Sequence, residues 1–251
     1  MVLQSFKKTE GKKKENASVV VPGPKQSLRA PTHQYCQPQS RAYISNPLIH
    51  LQQASVVPSK TQKVKESTWI GFVGVATDEG KVELGRRDIL IAWRGILTDS
   101  EWNDDKEVPL VQPTEIFGEN TNDILVHKGF YSIYISLNEA SDFNRTTSAR
   151  NQVIEEVKRL LNQYKEQVSI TVTGHSMGSS LATLCAIDIV VNQINKEFPV
   201  TAFVSACPRV EEENFKEAYG KLKTFQILRI SNLLDAVPKL PVFDTILVLS
   251  A

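Results

Sequence analysis

The sequence predicts an α/β fold in which a mainly parallel sheet is covered by helices. From residue 69 onward, short β-branched runs alternate with stretches whose apolar residues recur at helical spacing. Turn-forming residues separate these runs. Strands that alternate with helices over about 100 residues are typical of parallel strands joined by crossover helices. With 251 residues, 41% of them apolar, the chain is long enough to bury a core.

The first predicted elements are two neighbouring strands. The runs WIGFVGVA and DILIAW have strand composition, and TDEG after the first run is typical of a turn. A long polar connection then leads toward VHKGFYSIY. A connection of this length is unusual unless it serves as a lid or a binding loop, so we expect the segment from Ile96 to Gly118 to border a functional cleft.

The remaining elements alternate regularly. Apolar residues from Val153 to Tyr164 recur at helical spacing and predict an amphipathic helix. The run VSITVT predicts a buried strand, and a helix of small residues is expected from Ser179 to about Asn192. VTAFVSA and FQILRI predict two more strands, with a helix at ENFKEAYGKL between them and the loop SNLLDAVPKLP after them.

The amino-terminal segment differs in kind from the rest of the chain. Residues 1–65 contain 11 lysines and arginines but only two acidic residues, and they show no sustained period of strand or helix. This composition predicts a basic, disordered tail. A solvated tail is favoured over a membrane-surface or nucleic-acid patch because no apolar face accompanies the lysines. The net charge of the whole chain, +1, gives no reason to expect a nucleic-acid partner.

The cysteines indicate a reducing compartment. Cys36, Cys185 and Cys207 lie far apart without CxxC spacing, so we expect no disulfide, no metal and no cofactor. No apolar run reaches the roughly 18 residues of a membrane span, and the first residues lack the apolar core of a signal peptide. We therefore expect a soluble, cytoplasmic protein. A chloroplast protein is the alternative, because the tail is basic like a transit peptide although it favours Lys over Arg.

The segment Gly174-His175-Ser176-Met177-Gly178 fits the pattern GxSxG between a predicted strand and a predicted helix. In this context a serine sits on a sharp turn that directs its hydroxyl outward, and the following amides can stabilise an oxyanion. The pattern predicts that Ser176 is the nucleophile of an acyl-transfer reaction. The alternative is an ordinary turn serine in an α/β scaffold.

The acid and the base are harder to place. In α/β hydrolases the triad follows the order Ser, acid, His, and Asp235 follows a predicted strand as the acid should. Asp235 could instead cap a turn before Pro238. No histidine follows Asp235 in the sequence. His127 precedes Ser176, so for this fold a structural role is favoured over that of a displaced base.

Together these segments resemble the plant phospholipase A1 family of the class 3 lipases. The resemblance covers residues 65–241 and includes ITVTGHSMGSSLATLCAIDIV and NLLDAVPKLP. It implies an α/β-hydrolase-type fold, with residues 66–251 forming a lipase core that is incomplete at the carboxyl end. It also implies a metal-independent enzyme that cleaves the sn-1 ester of a phospholipid or galactolipid at a membrane surface. Ser176 would be the nucleophile, Asp235 the acid, and the amides of Met177 and Ile96 the oxyanion hole.

The sequence departs from the family at three places. The family has WRGT where this chain has Ile96 after WRG, which leaves only a backbone donor at that position. Glu211 replaces a glycine after CPRV. The family supplies its histidine beyond the residues that resemble this chain. The sequence therefore predicts either an acylhydrolase or a catalytically inactive, truncated lipase product without the triad histidine.

Overall fold

The computed structural model describes residues 19–20, 49–58, 63–95, 109–118, 124–137, 144–210, 220 and 222–240, with the backbone alone up to residue 68. The strands are β1 (Val19–Val20), β2 (Ile49–Pro58), β3 (Lys63–Val75), β4 (Arg87–Trp93), β5 (Leu110–Val111), β6 (Val126–His127), β7 (Val168–His175), β8 (Val200–Ser205) and β9 (Phe225–Ser231). The helices are α1 (Asp78–Leu84), α2 (Thr114–Phe117), α3 (Lys128–Ile135), α4 (Ala149–Gln163) and α5 (Met177–Val191), with a 3₁₀ turn at Val237–Lys239.

Among the described residues, seven strands form the main sheet in the order β1-β9-β8-β7-β4-β3-β2. Strands β4, β7, β8 and β9 run parallel, as does β1 beside β9, whereas β2, β3 and β4 pair antiparallel. The register places Trp93 opposite Gly174, and His175 opposite Ser205. The mainly parallel α/β sheet predicted from the sequence is therefore confirmed, and the carboxyl ends of its central strands meet at one edge.

One face of the sheet packs against the helices. Alternate residues of β4, β7 and β8 are fully buried on this face, among them Ile89, Ile170 and Val204. Helix α5 covers the centre and is buried on all sides from Met177 to Val190. A helix that is apolar all round belongs inside the molecule, so α5 forms the middle of the core. Helix α4, which the sequence predicted as amphipathic, lies over β2, β3 and β4.

The opposite face of β7 to β9 is polar only toward the amino ends of the strands, where Gln226 lies on it. Toward the carboxyl ends it carries the exposed apolar side chains of Phe203 and Ile230. A cleft of about 300 Å³ opens on this face near Arg86 and Lys223, at the amino ends of the strands. The alternation of strands and helices predicts helices on both faces of the sheet. Most of the helix predicted at ENFKEAYGKL lies outside the described residues, so the covering of this second face stays a prediction.

The TDEG segment begins a helix where a turn was predicted. The side chain of Thr77 accepts a hydrogen bond from the amide of Gly80 and caps α1, and two acidic residues occupy the first turn. Gly85 ends the helix at a φ of 72°. The strands on either side, β3 and β4, are neighbours as predicted.

The ordered sheet begins before the predicted boundary at residue 65. Strand β2 pairs antiparallel with β3 from Ile49 to Pro58, and β1 pairs with β9. Pairing with a neighbouring strand can order a segment whose own pattern is weak. The other residues of the predicted tail lie outside the described residues, and their disorder stays a prediction. Most of the helix predicted at ENFKEAYGKL also lies outside them.

A buried polar cluster joins three helices. The carboxylate of Asp188 on α5 accepts hydrogen bonds from the hydroxyl of Tyr134 (2.8 Å), from Arg150 (2.7 and 3.0 Å) and from the side-chain amide of Asn192 (2.7 Å). Burial and the nearby Asp188 carboxylate raise the pKa of Tyr134 well above its usual value. The ring of Tyr134 also meets Trp93 edge-on at 5.8 Å, so the cluster contacts the carboxyl end of β4.

The α2 end of the predicted lid lies far from Ser176. Residues 109–118 form β5 and α2, and the carbonyl of Ile116 accepts a hydrogen bond from Asn192 at the end of α5. At 1.5 Å per residue this end is about 24 Å from Ser176. The α2 end of the segment therefore does not border the turn of Ser176. Its other described end, at Leu110, pairs with His127, whose amide donates to the carbonyl of Val210 after β8, so a position of this end beside the cleft stays a prediction. Residues 96–108 lie outside the described residues.

Candidate active site

Ser176 lies on the sharp turn between β7 and α5, as the GxSxG pattern predicted. Its backbone has φ 56° and ψ −129°, which is strained for a residue with a side chain and costs about 1–3 kcal/mol. Its amide donates to the carbonyl of Ser205 at 3.0 Å, and its own carbonyl accepts from Ser179 at 2.8 Å. These bonds hold the strained turn between two strand ends and the first turn of α5.

The two glycines of the pattern are required by close approach. A Cβ on Gly174 would lie 2.1 Å from the carbonyl oxygen of Gly178. A Cβ on Gly178 would lie 2.5 Å from the carbonyl oxygen of Trp93. Cβ atoms do not approach other heavy atoms this closely, so α5 can start directly beside β7 and β4 only with glycine at both positions.

The side chain of Ser179 stabilises the turn through hydrogen bonds, a role that was not predicted from the sequence. Its buried hydroxyl lies 2.7 Å from the carbonyl oxygens of both Gly174 and Ser205 and accepts a hydrogen bond from the amide of Ser205 at 3.1 Å. It therefore links the ends of β7 and β8 beneath Ser176. A hydroxyl residue at the start of an otherwise apolar helix was the only sequence signal for this role.

The predicted oxyanion hole has one described member, and its role there stays a prediction. Met177 is the first residue of α5, where amides have no partner within the helix and the helix dipole is positive. Gly95 lies over the turn, because a Cβ there would be 2.9 Å from the carbonyl oxygen of His175 and 3.6 Å from the Cβ of Ser176. Ile96, the second predicted donor, follows Gly95 but lies outside the described residues. Its role stays a prediction.

Arg94 fixes the chain where it leaves β4. Its amide donates to the carbonyl of Ile70, and its guanidinium donates to the carbonyls of Trp69 (2.6 Å) and Gly95 (2.8 Å). The segment that lies over Ser176 is thus tied to the neighbouring strand β3. This fixes the starting point of the chain toward Ile96.

Asp235 lies in the loop after β9, at the edge of the sheet that carries Ser176. One oxygen of its partly exposed carboxylate accepts a hydrogen bond from the amide of Val237 at 2.9 Å. This is the turn-capping role considered as an alternative. Among the described residues no partner is found for the other oxygen, so the cap leaves one oxygen able to orient a base. The role of Asp235 as the acid stays a prediction.

His127 has a structural environment. Its ring is fully buried and stacks on Phe130 at a centroid distance of 4.3 Å. Its Nδ1 accepts a hydrogen bond from the amide of Gly129 and so caps α3. These contacts favour the structural role over that of a displaced base. His175 is exposed beside Ser176 in the chain, and the side chains of His33 and His50 lie outside the described residues.

A family model described as lipase (class 3) matches residues 90–245, which include the GxSxG turn and Asp235. The chain belongs to the class 3 lipases. This confirms that part of the resemblance seen in the sequence.

Curated relatives of this class 3 lipase include plant enzymes. It is 48% identical over 185 residues to phospholipase A1-IIgamma of Arabidopsis thaliana, covering 70% of this chain and 44% of the relative. It is also 48% identical over 185 residues to phospholipase A1-II 1 of Oryza sativa subsp. indica, covering 73% of this chain and 47% of the relative. The chain therefore spans less than half the length of these relatives.

The fold also matches solved lipases. The crystal structure of a triacylglycerol lipase from Penicillium expansum superposes with a TM-score of 0.53 at 18% identity, covering 76% of this chain and 65% of that one. At this identity the match shows the fold alone. None of the helices in the described residues is both long and apolar enough to span a bilayer.

Proposed function

We propose that this class 3 lipase is an acylhydrolase of the phospholipase A1 type, with Ser176 as its nucleophile. The substrate would be the sn-1 ester of a glycerophospholipid, or of a galactolipid, presented at a membrane surface. The observation that carries the proposal is the strained backbone of Ser176, at φ 56°, between β7 and α5. Names of relatives that are 48% identical support the choice of lipid. For location we propose the cytoplasm, with the chloroplast as the alternative.

The proposed reaction has two halves. The oxygen of Ser176 attacks the sn-1 carbonyl while a base removes the hydroxyl proton, and the amides of Met177 and Ile96 bind the oxyanion. Collapse of this intermediate forms an ester on Ser176 and releases the lysophospholipid, whose oxygen takes up the proton. Water then attacks the serine ester by the same route, releases the fatty acid and restores Ser176. Asp235 would orient the base and stabilise its cationic form.

The proposed reaction needs a base, and no residue of the chain is assigned to this role. No histidine follows Asp235 in the 251 residues, and His127 is held in the structural contacts described above. Without a base, a serine hydroxyl is a weak nucleophile, and loss of such a triad member costs on the order of 10⁶ in turnover. A catalytically inactive lipase product is therefore the second candidate for these 251 residues.

The test compares the chain with its Ser176→Ala variant. We expect the chain to hydrolyse phosphatidylcholine barely above the variant and to react slowly with a fluorophosphonate probe. Added imidazole should raise the hydrolysis of a small activated ester by the chain, because it can act as the missing base, and should do so less for Ser176→Ala. Ser180→Ala is the matched control, since it removes a buried hydroxyl in the next turn of α5 that has no hydrogen-bond partner among the described residues.

Two outcomes would change the proposal. If imidazole raises the rate of the chain and of Ser176→Ala equally, Ser176 is not a nucleophile and the inactive product is favoured. If the chain hydrolyses phosphatidylcholine at ordinary lipase rates, and Ser176→Ala abolishes this activity, another residue serves as the base. His127 would then be the first residue to replace, and its structural assignment would be wrong.

A further inference from the structure

The loop after β9 presents two adjacent leucines to solvent. The side chain of Leu233 is 69% exposed and that of Leu234 is 91% exposed. Single exposed leucines are common on protein surfaces, but two neighbouring leucines at the tip of one loop form a small apolar projection. Transfer of such side chains out of water is favourable in proportion to the area that is removed from water.

Hydrogen bonds fix this loop in shape. The side-chain oxygen of Asn232 accepts a hydrogen bond from the amide of Leu234, and its backbone carbonyl accepts one from the amide of Asp235, both at 3.1 Å. The carboxylate of Asp235 in turn accepts a hydrogen bond from the amide of Val237, which begins the 3₁₀ turn. The exposure of Leu233 and Leu234 is therefore set by a bonded turn of the backbone.

The two leucines lie at the edge of the sheet that carries Ser176. Strand β9 runs parallel to β8, and β8 to β7, so the loop after β9 projects from the same edge as the turn after β7. Arg209 and Lys239 are exposed cations at this edge, and Asp235 in the loop itself adds one partly exposed carboxylate. A hydrogen bond of 2.7 Å from the amide of Arg209 to the carbonyl of Leu240 joins the segments of the two cations. The described surface thus combines an apolar projection with an excess of positive charge.

We propose that the loop of Leu233 and Leu234 inserts into the surface of an anionic phospholipid membrane and holds the Ser176 edge against the lipid. The leucines would enter the boundary between headgroups and acyl chains, while Arg209 and Lys239 stay at the level of the anionic headgroups. The choice of a lipid surface as the occupant rests on the proposed function. Three glutamates follow Val210 in the sequence and lie outside the described residues, so the dependence on lipid charge is tested directly.

The test measures cosedimentation of the full chain with vesicles of phosphatidylcholine containing phosphatidylglycerol. The chain carries Ser176→Ala, so that no hydrolysis alters the vesicles. We expect the double substitution Leu233→Ser and Leu234→Ser to weaken binding about 10–100-fold, since two leucines lose much of their transfer energy. Binding should also weaken with added salt and in vesicles of phosphatidylcholine alone.

Helix α1 offers a matched control. Val82 is 82% exposed and Leu84 is 45% exposed, and α1 precedes the amino end of β4, at the opposite edge of the sheet. The double substitution Val82→Ser and Leu84→Ser removes two exposed apolar side chains there. It should change vesicle binding by less than about twofold, because these residues would face away from the membrane.

A second measurement reports insertion itself. The emission of a tryptophan introduced by Leu234→Trp should shift to shorter wavelength on the anionic vesicles, whereas that of Val82→Trp should not. The proposal is overturned if the leucine variant binds like its parent, if the α1 variant loses as much, or if phosphatidylcholine vesicles bind equally well. It is also overturned if the leucines instead support a dimer in size-exclusion chromatography. Vesicle binding does not require Ser176 to react. A failure of the binding test would therefore leave the result of the hydrolysis test unaffected.

Discussion

Replacing Asp188 with alanine should loosen the packing of α3, α4 and α5. The carboxylate is fully buried and accepts four hydrogen bonds, two of them from Arg150 and the others from Tyr134 and Asn192. The substitution removes the principal carboxylate partner of Arg150, whose side chain is only 17% exposed. It also removes the acceptor of the buried Tyr134 hydroxyl. Removing one partner of a buried ion pair costs about 3–5 kcal/mol.

Urea unfolding followed by far-ultraviolet circular dichroism measures this loss. A domain of this kind is stable by about 5–15 kcal/mol, so the midpoint of the Asp188→Ala transition should fall clearly while its slope stays the same. Asp188→Asn keeps one acceptor but removes the charge, and we expect a smaller loss of about 1.5–3 kcal/mol. In both variants the free energy of unfolding is compared with that of the parent chain.

An exposed carboxylate that faces the same arginine provides the control. Glu115 lies 3.9 Å from Arg150, and its side chain is 60% exposed. The substitution Glu115→Gln should therefore cost only about 0.2–1 kcal/mol. If Asp188→Ala is no more destabilising than Glu115→Gln, the buried cluster does not hold the three helices together.

Three further predictions concern the site and the sheet. Ser179→Ala should lower the free energy of unfolding by about 1–3 kcal/mol, because the bond between its hydroxyl and the amide of Ser205 is lost; a stability like that of the parent would contradict this. Gly178→Ala should cost at least about 1–3 kcal/mol in urea unfolding, because its Cβ would lie 2.5 Å from the carbonyl of Trp93; a fully stable variant would contradict the close approach. Burial raises the pKa of Asp88, so stability should fall as pH rises from the unfolded pKa of this carboxyl to its folded pKa. In Asp88→Asn this fall should be absent, and a Tm difference from the parent that does not vary with pH would contradict the assignment.

The sequence predicted elements whose patterns are strong and local. Helix α4, strand β7 and helix α5 were all predicted from periodicity, because apolar spacing and β-branched runs report directly on burial. Two other elements were not recognised. Thr77 was assigned to a turn although the same residue can cap a helix, and β2 is ordered through its pairing with β3.

The same division holds for the site. Ser176 was predicted because GxSxG is a local pattern with a fixed geometry, and the close contacts of Gly174 and Gly178 follow from it. The support from Ser179 depends on β8, which arrives 26 residues later in the sequence. The exposure of Leu234 depends on a turn fixed by hydrogen bonds. Neither was visible in the spacing of residues along the chain.

The register of the central strands determines the order in which parts of the chain can fold. Strands β4 and β7 pair Arg87 with Val168, so a long intervening chain must be gathered before the two strands meet. Pairings this distant in sequence are made slowly. The backbone of Ser176 is held by Ser205 on β8, which must arrive later still. Ser176 should therefore reach its strained conformation only near the end of folding, so that an incompletely folded chain exposes strands but lacks the turn that carries the proposed nucleophile.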